Sequence, residues 1–260
     1  GGDVNHVLSE FGLLGGGAEM INPVMTMAGL DSGAAAFGIE SNLGGSAKVA
    51  IHAHSNINNP YRSASGAGVA FTLGDEKESL SIGYSTMHED GAALGMISMN
   101  ASAPLVADSR ALDLGYSLQV ANGLRFNANA QFGTLDSSAS GMWGAQDGTL
   151  FNAFGVNLEA GGVFTGADRL VLSVAQPLAI TDGSMSLHMP VARDAGGNVA
   201  YSNSVLDLAP LERQMDISLE YGIPLWSQTD LRLGAAYSLN AGHIQGSEAA
   251  SLAAGLEIRW

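Results

Sequence analysis

The sequence predicts an all-β protein: a transmembrane antiparallel β-barrel of about twelve strands, preceded by a short N-terminal helical or plug segment. Three observations predict it. Apolar and polar residues alternate at two-residue steps in segments of about ten residues. Charged residues make up only 13% of a chain whose apolar fraction is 46%. No run of about 18 apolar residues is present to form a membrane-crossing helix.

The 260 residues suffice for one large β unit. Ten basic residues against 25 acidic ones give a net charge of -15, which argues against a nucleic-acid partner. The chain has 35 Gly and no Cys, so disulfide and thiol chemistry are excluded. Soluble domains carry roughly 25% charged residues, about twice the fraction here. Something other than a charged surface must meet the surroundings. In lipid, only helices and closed barrels satisfy every backbone group. The opening Gly1-Gly2-Asp3, without an initiator Met or a signal peptide, is read as the start of a processed or excised piece.

The alternation is clearest over 111–121, where Leu112, Leu114, Tyr116, Leu118 and Val120 share one face. Asp113, Gly115, Ser117 and Gln119 share the other. Over 124–132, Leu124, Phe126, Ala128, Ala130 and Phe132 oppose Arg125, Asn127, Asn129 and Gln131. The predicted strands are 46–55, 66–73, 79–87, 92–100, 111–120, 124–133, 149–161, 168–177, 184–192, 212–222, 229–240 and 249–260. Residues 33–41 and 199–207 are the candidates that raise the count to fourteen. Parity fixes the 111–133 hairpin. A two-residue Asn122-Gly123 turn pairing Ala121 with Leu124 mixes the faces. A three-residue loop, Ala121-Asn122-Gly123, pairs Leu118 with Phe126 and gives Gly123 the left-handed position. A one-residue slip sends every side chain to the wrong face.

An even strand count places both ends of the barrel on one side. With these twelve strands, the tight loop 121–123 points outward and the long loop 134–148 points to the periplasm, against the usual order. A soluble sandwich also alternates, but its polar face meets water and is rich in Lys and Glu. Here that face is Gly, Ser, Asn, Gln and Ala, and the chain has two Lys.

The domain reading is a linker over 1–32, then a barrel over 33–260. Val4, Val7, Leu8, Phe11 and Leu14 recur at helical spacing, with Asp3 as N-cap and Gly15-Gly16-Gly17 as the stop. Two readings stand for this segment: an amphipathic helix in the pore, or a disordered lead-in.

The C-terminus carries the strongest local signal. Leu252, Ala254, Leu256, Ile258 and Trp260 fall at two-residue steps, with Glu257 and Arg259 between them. This resembles the terminal strand of bacterial outer-membrane proteins, which is read by the barrel assembly machinery. Residues 168–192, 206–222 and Asn240-Ala241-Gly242-His243 resemble the late strands of autotransporter C-terminal barrels, most of all those that follow subtilisin-like serine protease passengers. The likeness covers roughly 165–260, and the first half in pattern only. It implies a type V secretion translocator in the bacterial outer membrane that helps carry its own N-terminal passenger to the surface. The implied partners are outer-membrane lipid and lipopolysaccharide, the assembly machinery and the passenger. No protease triad is visible, and no cofactor is implied.

Two other classes are weighed. A stand-alone outer-membrane channel predicts a signal peptide just upstream and an open pore. A barrel enzyme needs a nucleophile or base oriented by a third group, and no motif here joins the Ser and His residues. The chain is therefore read as a non-enzyme. Candidate lumen-facing charges are Lys48, Asp113, Arg125, Arg169, Asp216, Glu220, Arg232, Glu257 and Arg259, read as a structural network rather than a wet lining. His52 and His54 share a face, but no Cys or carboxylate pair lies near in sequence to complete a metal site. His188 and His243 are read as lumen or loop residues. Asn5 and Asn22 are the conceivable linker-cleavage positions, though neither matches a cleavage pattern. Tyr221, Trp226 and Trp260 are expected near the periplasmic rim.

Overall fold

A computed structural model describes residues 34–56, 63–93, 96–97, 105–139, 146–226 and 229–258. The expected helix and linker of 1–32, including Asn5 and Asn22, lie outside the described residues, as do Arg259 and Trp260. The strands are β1 (Ala34–Gly44), β2 (Ala47–Asn56), β3 (Ser63–Gly74), β4 (Glu78–Asp90), β5 (Ala92–Ala93), β6 (Met96–Ile97), β7 (Leu105–Ala121) and β8 (Leu124–Ala139). They continue as β9 (Gln146–Gly161), β10 (Arg169–Asp182), β11 (Ser184–Arg193), β12 (Val199–Asp207), β13 (Met215–Trp226), β14 (Thr229–Leu239) and β15 (Glu248–Ile258). A 3₁₀ turn, Ala241–His243, is the one helical element among the described residues.

Eleven strands form one antiparallel meander in the order β1-β2-β3-β4-β7-β8-β9-β10-β13-β14-β15. The membership of the sheet differs from expectation at three places. The segment 92–100 is not a wall strand: β5 and β6 pair only with each other, and β4 pairs directly with β7. The segment 184–192 is not one either. As β11 it pairs with β12 in a separate hairpin, while β10 pairs with β13. Conversely, β1 is a full member, paired with β2 over Ala34–Gly44. Alternation alone cannot separate a wall strand from a protruding hairpin, because both are pleated with period two.

Side-chain exposure is inverted relative to a soluble protein. Ser81 is 8% exposed and its neighbour Ile82 49%; Gln131 is 1% exposed and Phe132 50%; Thr149 is 0% exposed and Leu150 42%. The sheet therefore curls around its polar face and turns its apolar face outward. That is the pattern of a transmembrane barrel, in which lipid replaces water as the outer solvent.

The outer apolar band has the height of a bilayer core. On β7 it runs from Leu112 to Val120, and a tilted strand needs about 9–11 residues to cross. Beyond it, β7 continues outward with Arg110 and Asp108, β4 with His88 and β8 with Asp136, all polar. The three prolines within strands sit where the ladder breaks. Pro177 lies in the β10 register shift between Gln176 and Ala179, Pro190 in that of β11, and Pro224 in that of β13. Proline has no N–H to donate, so it is accommodated at bulges.

The connections sort by end. The tight turns 45–46, 75–77 and 122–123 lie at one end, together with 162–168 and the connection from β13 to β14. The long excursions 91–104 and 183–214 both lie at the other. Short turns face the periplasm and long loops the outside. This corrects the expected placement of 121–123: it belongs with the short turns, and the β8–β9 connection with the long loops. Counted back from the terminal strand, the misassigned segment 184–192 shifted the alternation by one. The hairpin parity is as expected, with Leu118 opposite Phe126 and Gln119 opposite Arg125. The closing pair, however, is Ala121 with Leu124, and a bulge at Val120 restores the faces. Gly123 has φ 74°, the left-handed conformation that glycine adopts without a Cβ clash.

Candidate functional site: a layered lumen

The inner face is built in three layers. Register alone decides which residues meet, because successive side chains point to opposite faces.

The layer nearest the short turns is charged. Arg169 of β10 donates from Nε (2.6 Å) and Nη2 (3.0 Å) to the two carboxylate oxygens of Glu159 on β9. This fork-to-fork geometry is the strongest form of Arg–carboxylate pairing. Arg125 of β8 stands opposite Glu159 in register and donates to Ser117 Oγ (3.2 Å) and to the carbonyl of Glu76 (2.9 Å). Glu220 lies across Val171 from Glu159. In the next row Arg169 and Arg232 alternate with Gly161, Gly222 and Gly255. Residues without side chains leave room for the two long ones.

The middle layer is polar and hydrogen-bonded. Asp113 accepts from Ser85 Oγ (3.1 Å) and Gln131 Nε2 (2.6 Å). Asn127 donates to Asn157 (2.8 Å), and Ser81 donates to the Gly115 carbonyl (3.3 Å). Towards the open edge, Lys48 of β2 pairs with Glu40 of β1 at 3.2 Å. Asp216 of β13 accepts from Gln214 at 2.8 and 3.0 Å.

The layer nearest the long loops mixes apolar side chains with the buried Ser109, Ser137 and Thr149. Met87, Ala107, Ala111, Leu135, Phe151, Ala153 and Leu178 form one buried cluster, joined by Ala93 of β5. Phe151 packs against Gly133, its cross-strand partner: a Cβ on Gly133 would collide with its ring and with the Arg110 carbonyl.

At the short-turn rim, Asp168 organises the turn 162–168. Its Oδ2 accepts from the N–H groups of Phe164 (2.9 Å) and Thr165 (3.2 Å) and from the Tyr221 hydroxyl (3.0 Å). Burial resists its charge, but these donors outweigh that and hold the carboxyl below the usual range. The Phe164 and Tyr221 rings meet edge to face at 5.7 Å. Trp226 is exposed at this end. Both aromatic residues expected at the rim and lying within the described residues, Tyr221 and Trp226, are thus at the short-turn end.

The histidines separate. His52 lies on the inner face opposite Gly68, and His54 opposite Gly66. Among the described residues no group of three metal-type ligands comes together. His188 is in the β11–β12 hairpin beside Asn203, at 2.6 Å. His88, which the sequence did not single out, stands on the outer face 2.8 Å from Asp108. His243 accepts from the Gln214 N–H through Nδ1 (3.0 Å) and donates to the Leu178 carbonyl through Nε2 (3.1 Å).

The terminal strand pairs with β14 without a break, from Thr229–Ile258 to Leu239–Glu248. Leu252, Ala254 and Leu256 stand opposite Ala235, Leu233 and Leu231, in the outer apolar band. Ile258 and Glu257 are in register with Thr229 and Asp230.

No protein-family model and no characterised protein matches the chain in sequence. Three solved structures are similar in shape. A siderophore receptor, PiuA of Acinetobacter baumannii, has TM-score 0.42 and 11% identity over 86% of this chain and 44% of its own. The ferric yersiniabactin uptake receptor FyuA of Yersinia pestis has TM-score 0.45 and 11% identity, over 86% and 40%. The translocator domain of the autotransporter NalP of Neisseria meningitidis has TM-score 0.35 and 12% identity, over 87% and 79%. The chain thus spans less than half the length of the two receptors. Its wall is apolar outside and hydrogen-bonded inside, and its long excursions share one end. Such a wall belongs in a lipid bilayer rather than in water; the chain has the fold of a transmembrane β-barrel.

Proposed function

We propose that this barrel is the translocator of an autotransporter, supporting export of a passenger encoded upstream of Gly1. The observation that carries the reading is the meeting of the segments whose sequence resembles that family. Gln214, from the 206–222 segment, and His243, from Asn240-Ala241-Gly242-His243, join at 3.0 Å. His243 in turn meets β10 of the 168–192 segment through the Leu178 carbonyl. The resemblance is therefore one contiguous piece of wall and loop, not three scattered matches. The terminal strand supports it: Leu252, Ala254 and Leu256 offer the alternating outer face that the assembly machinery reads in such barrels. Outer-membrane lipid and lipopolysaccharide are the proposed surroundings, and a subtilisin-like passenger the proposed cargo. The barrel itself is proposed to carry no catalysis.

The test is a fusion. A signal peptide and a folded reporter are placed before Gly1, and surface exposure is read by protease added to intact cells. The reporter is expected outside. A reporter left in the periplasm, while the barrel is assembled and heat-modifiable, overturns the reading.

A further inference from the structure

The hairpin β11–β12 stands outside the wall, and among the described residues it pairs with no third strand. A lone two-stranded hairpin is marginal in water. Its two outer edges differ. At the tip the Asp194 N–H donates to the Asn198 carbonyl (3.0 Å), and at the base the Leu208 N–H donates to the Gly183 carbonyl (3.0 Å). β12 is regular between those points, so its even-numbered residues turn their backbone groups towards β11. Val199, Tyr201, Asn203, Val205 and Asp207 therefore turn theirs to the free edge. On the other side, Pro190 stands opposite Tyr201, which puts its ring nitrogen at the outer edge of β11, beside the register shift before Ala192. Prolines and bulges protect an edge from further pairing. β12 has neither, and its one charge, Asp207, is at its end. Its side chains are left in water: Val205 is 74% exposed and Tyr201 64%.

We infer that the β12 edge pairs with the β12 edge of a second copy of this chain, antiparallel and centred on Asn203. The strand is complementary to itself in that register. Asn203 meets its own copy, Tyr201 meets Val205 of the second copy, and Val199 meets Asp207 of the second copy. Every outward-turned backbone group then faces another, as a ladder requires. A centre at Ser202 or Ser204 leaves an outward-turned residue at one end without a partner on β12. The symmetry makes the Tyr201–Val205 contact twice, and aromatic with β-branched is a favourable cross-strand pair. On the opposite face Ser202 meets Ser204 and Ala200 meets Leu206. No like charges are opposed, because the two Asp207 side chains lie at opposite ends. Main-chain bonds of this kind are how an added strand binds an open edge. Gly183, at φ 153°, turns the chain out of β10 into β11, so the hairpin does not continue the tilt of the wall. Copies in one membrane stand the same way up, so their two-fold axis follows the membrane normal and the paired β12 strands lie across the surface. The inference rests on the hairpin outside the wall and not on export of a passenger.

The test is disulfide linkage between copies of the full 260-residue chain in the membranes of expressing cells under mild oxidation; the chain has no Cys of its own. A self-opposed residue in such a ladder has its Cα about 5.5 Å from its copy, within disulfide reach. Asn203→Cys should therefore link to itself. Val199→Cys, whose copy lies at the far end of the pair, should link at least tenfold less. Tyr201→Cys and Val205→Cys, expressed together, should link to each other, and this pair leaves the Asn203–His188 contact at 2.6 Å intact. Adding Val205→Pro to Asn203→Cys removes an edge-facing N–H and should abolish the dimer without unfolding the barrel. Heat-modifiability identifies the folded variants. Folded Asn203→Cys barrels that stay monomeric, with no Tyr201→Cys to Val205→Cys link, overturn the inference. So does equal linkage from Val199→Cys, which would mean random collision, and so do adducts with other proteins alone, which would put a different strand on this edge. A failed reporter fusion with these links intact would sink the export reading and leave the pairing standing.

Discussion

Gln214 and His243 hold each other reciprocally across two loops. The Gln214 N–H donates to His243 Nδ1 at 3.0 Å, and the Gln214 side-chain oxygen accepts from the Gly242 N–H at 2.7 Å. His243 then donates from Nε2 to Leu178 at 3.1 Å, which fixes the neutral tautomer with its proton on Nε2. Asn240 adds a bond to the Arg213 carbonyl. His243→Ala removes two hydrogen bonds in a part-buried site, and each is worth about 1 kcal/mol. The variant should unfold at lower urea than the parent by that order, with protease cutting first in 240–247. An unchanged midpoint and cutting pattern would count against the clasp.

The Arg169–Glu159 fork should matter more than an exposed ion pair. Arg169→Ala leaves Glu159 and Glu220, which flank Val171 on the same wall, with a cation removed. The side chains are 38% and 27% exposed, so the loss is discounted for solvent to about 1–2 kcal/mol. The double variant Arg169→Ala/Glu159→Ala should recover part of it. A double-mutant cycle in urea unfolding gives the coupling directly.

Gly133 is predicted to be irreplaceable for packing reasons, not conformational ones. A Cβ there meets the Phe151 ring and the Arg110 backbone carbonyl, and only the ring can move. Gly133→Ala should cost about 1–3 kcal/mol by overpacking. Phe151→Leu in the same chain should relieve it. Equal stability of Gly133→Ala and parent would mean that the wall yields more than close packing allows.

The lipid-facing side of the terminal strand gives an assembly prediction. Leu256→Asp puts a carboxylate in the outer apolar band opposite Leu231. Charged groups on the lipid face of a barrel cost up to about 2–4 kcal/mol, acidic ones less. Combined with Ile258→Asp, or with deletion of Trp260, the change should abolish the heat-modifiable form in outer-membrane fractions. Normal assembly of such variants would refute the reading of this strand.

Asp168 predicts an acid dependence of the short-turn rim. Its folded pKa lies below the unfolded 3.8, so its stabilisation is present above that value and is lost as pH falls through the folded pKa. The parent should lose stability on acidification below about pH 4, the ordinary carboxylate range. Asp168→Asn should be weaker at neutral pH and flatter through that window. A parallel pair of curves would show that other carboxylates carry the acid response.

Much of the wall was legible because burial on one side only makes parity informative. Leu112 to Val120 against Asp113 to Gln119 gives strand, face and hairpin register in one reading. The membership of the sheet was less legible. Residues 184–192 alternate as well as β10 does, and only the pairing of β10 with β13 shows that they stand outside the wall. At 92–100, the described residues of β5 and β6 pair with each other while β4 pairs directly with β7, a choice of neighbour that alternation does not encode. The lumen charges were visible as residue types at alternating positions. The fork between Arg169 and Glu159 was not visible, because it depends on which strands are neighbours. Asp168 and Gln214 carry no sequence signal: their partners are backbone groups of a turn and a loop together with side chains distant in sequence, Tyr221 and His243.

The one-sided distribution of connections also settles how this barrel can arrive in its membrane. The excursion over 183–214 carries Arg193, Asp194 and Asp207, and drawing it through hydrocarbon means stripping water from each of those charges. No short turn is as long, and the most charged of them, 75–77, holds Asp75, Glu76 and Lys77 against five charges in the excursion, where Glu212 and Arg213 join those three. Once the excursion is across, the reverse passage is blocked by the same desolvation. Orientation is therefore kept as a kinetic memory of insertion, even though the wall itself is nearly indifferent to which way up it stands.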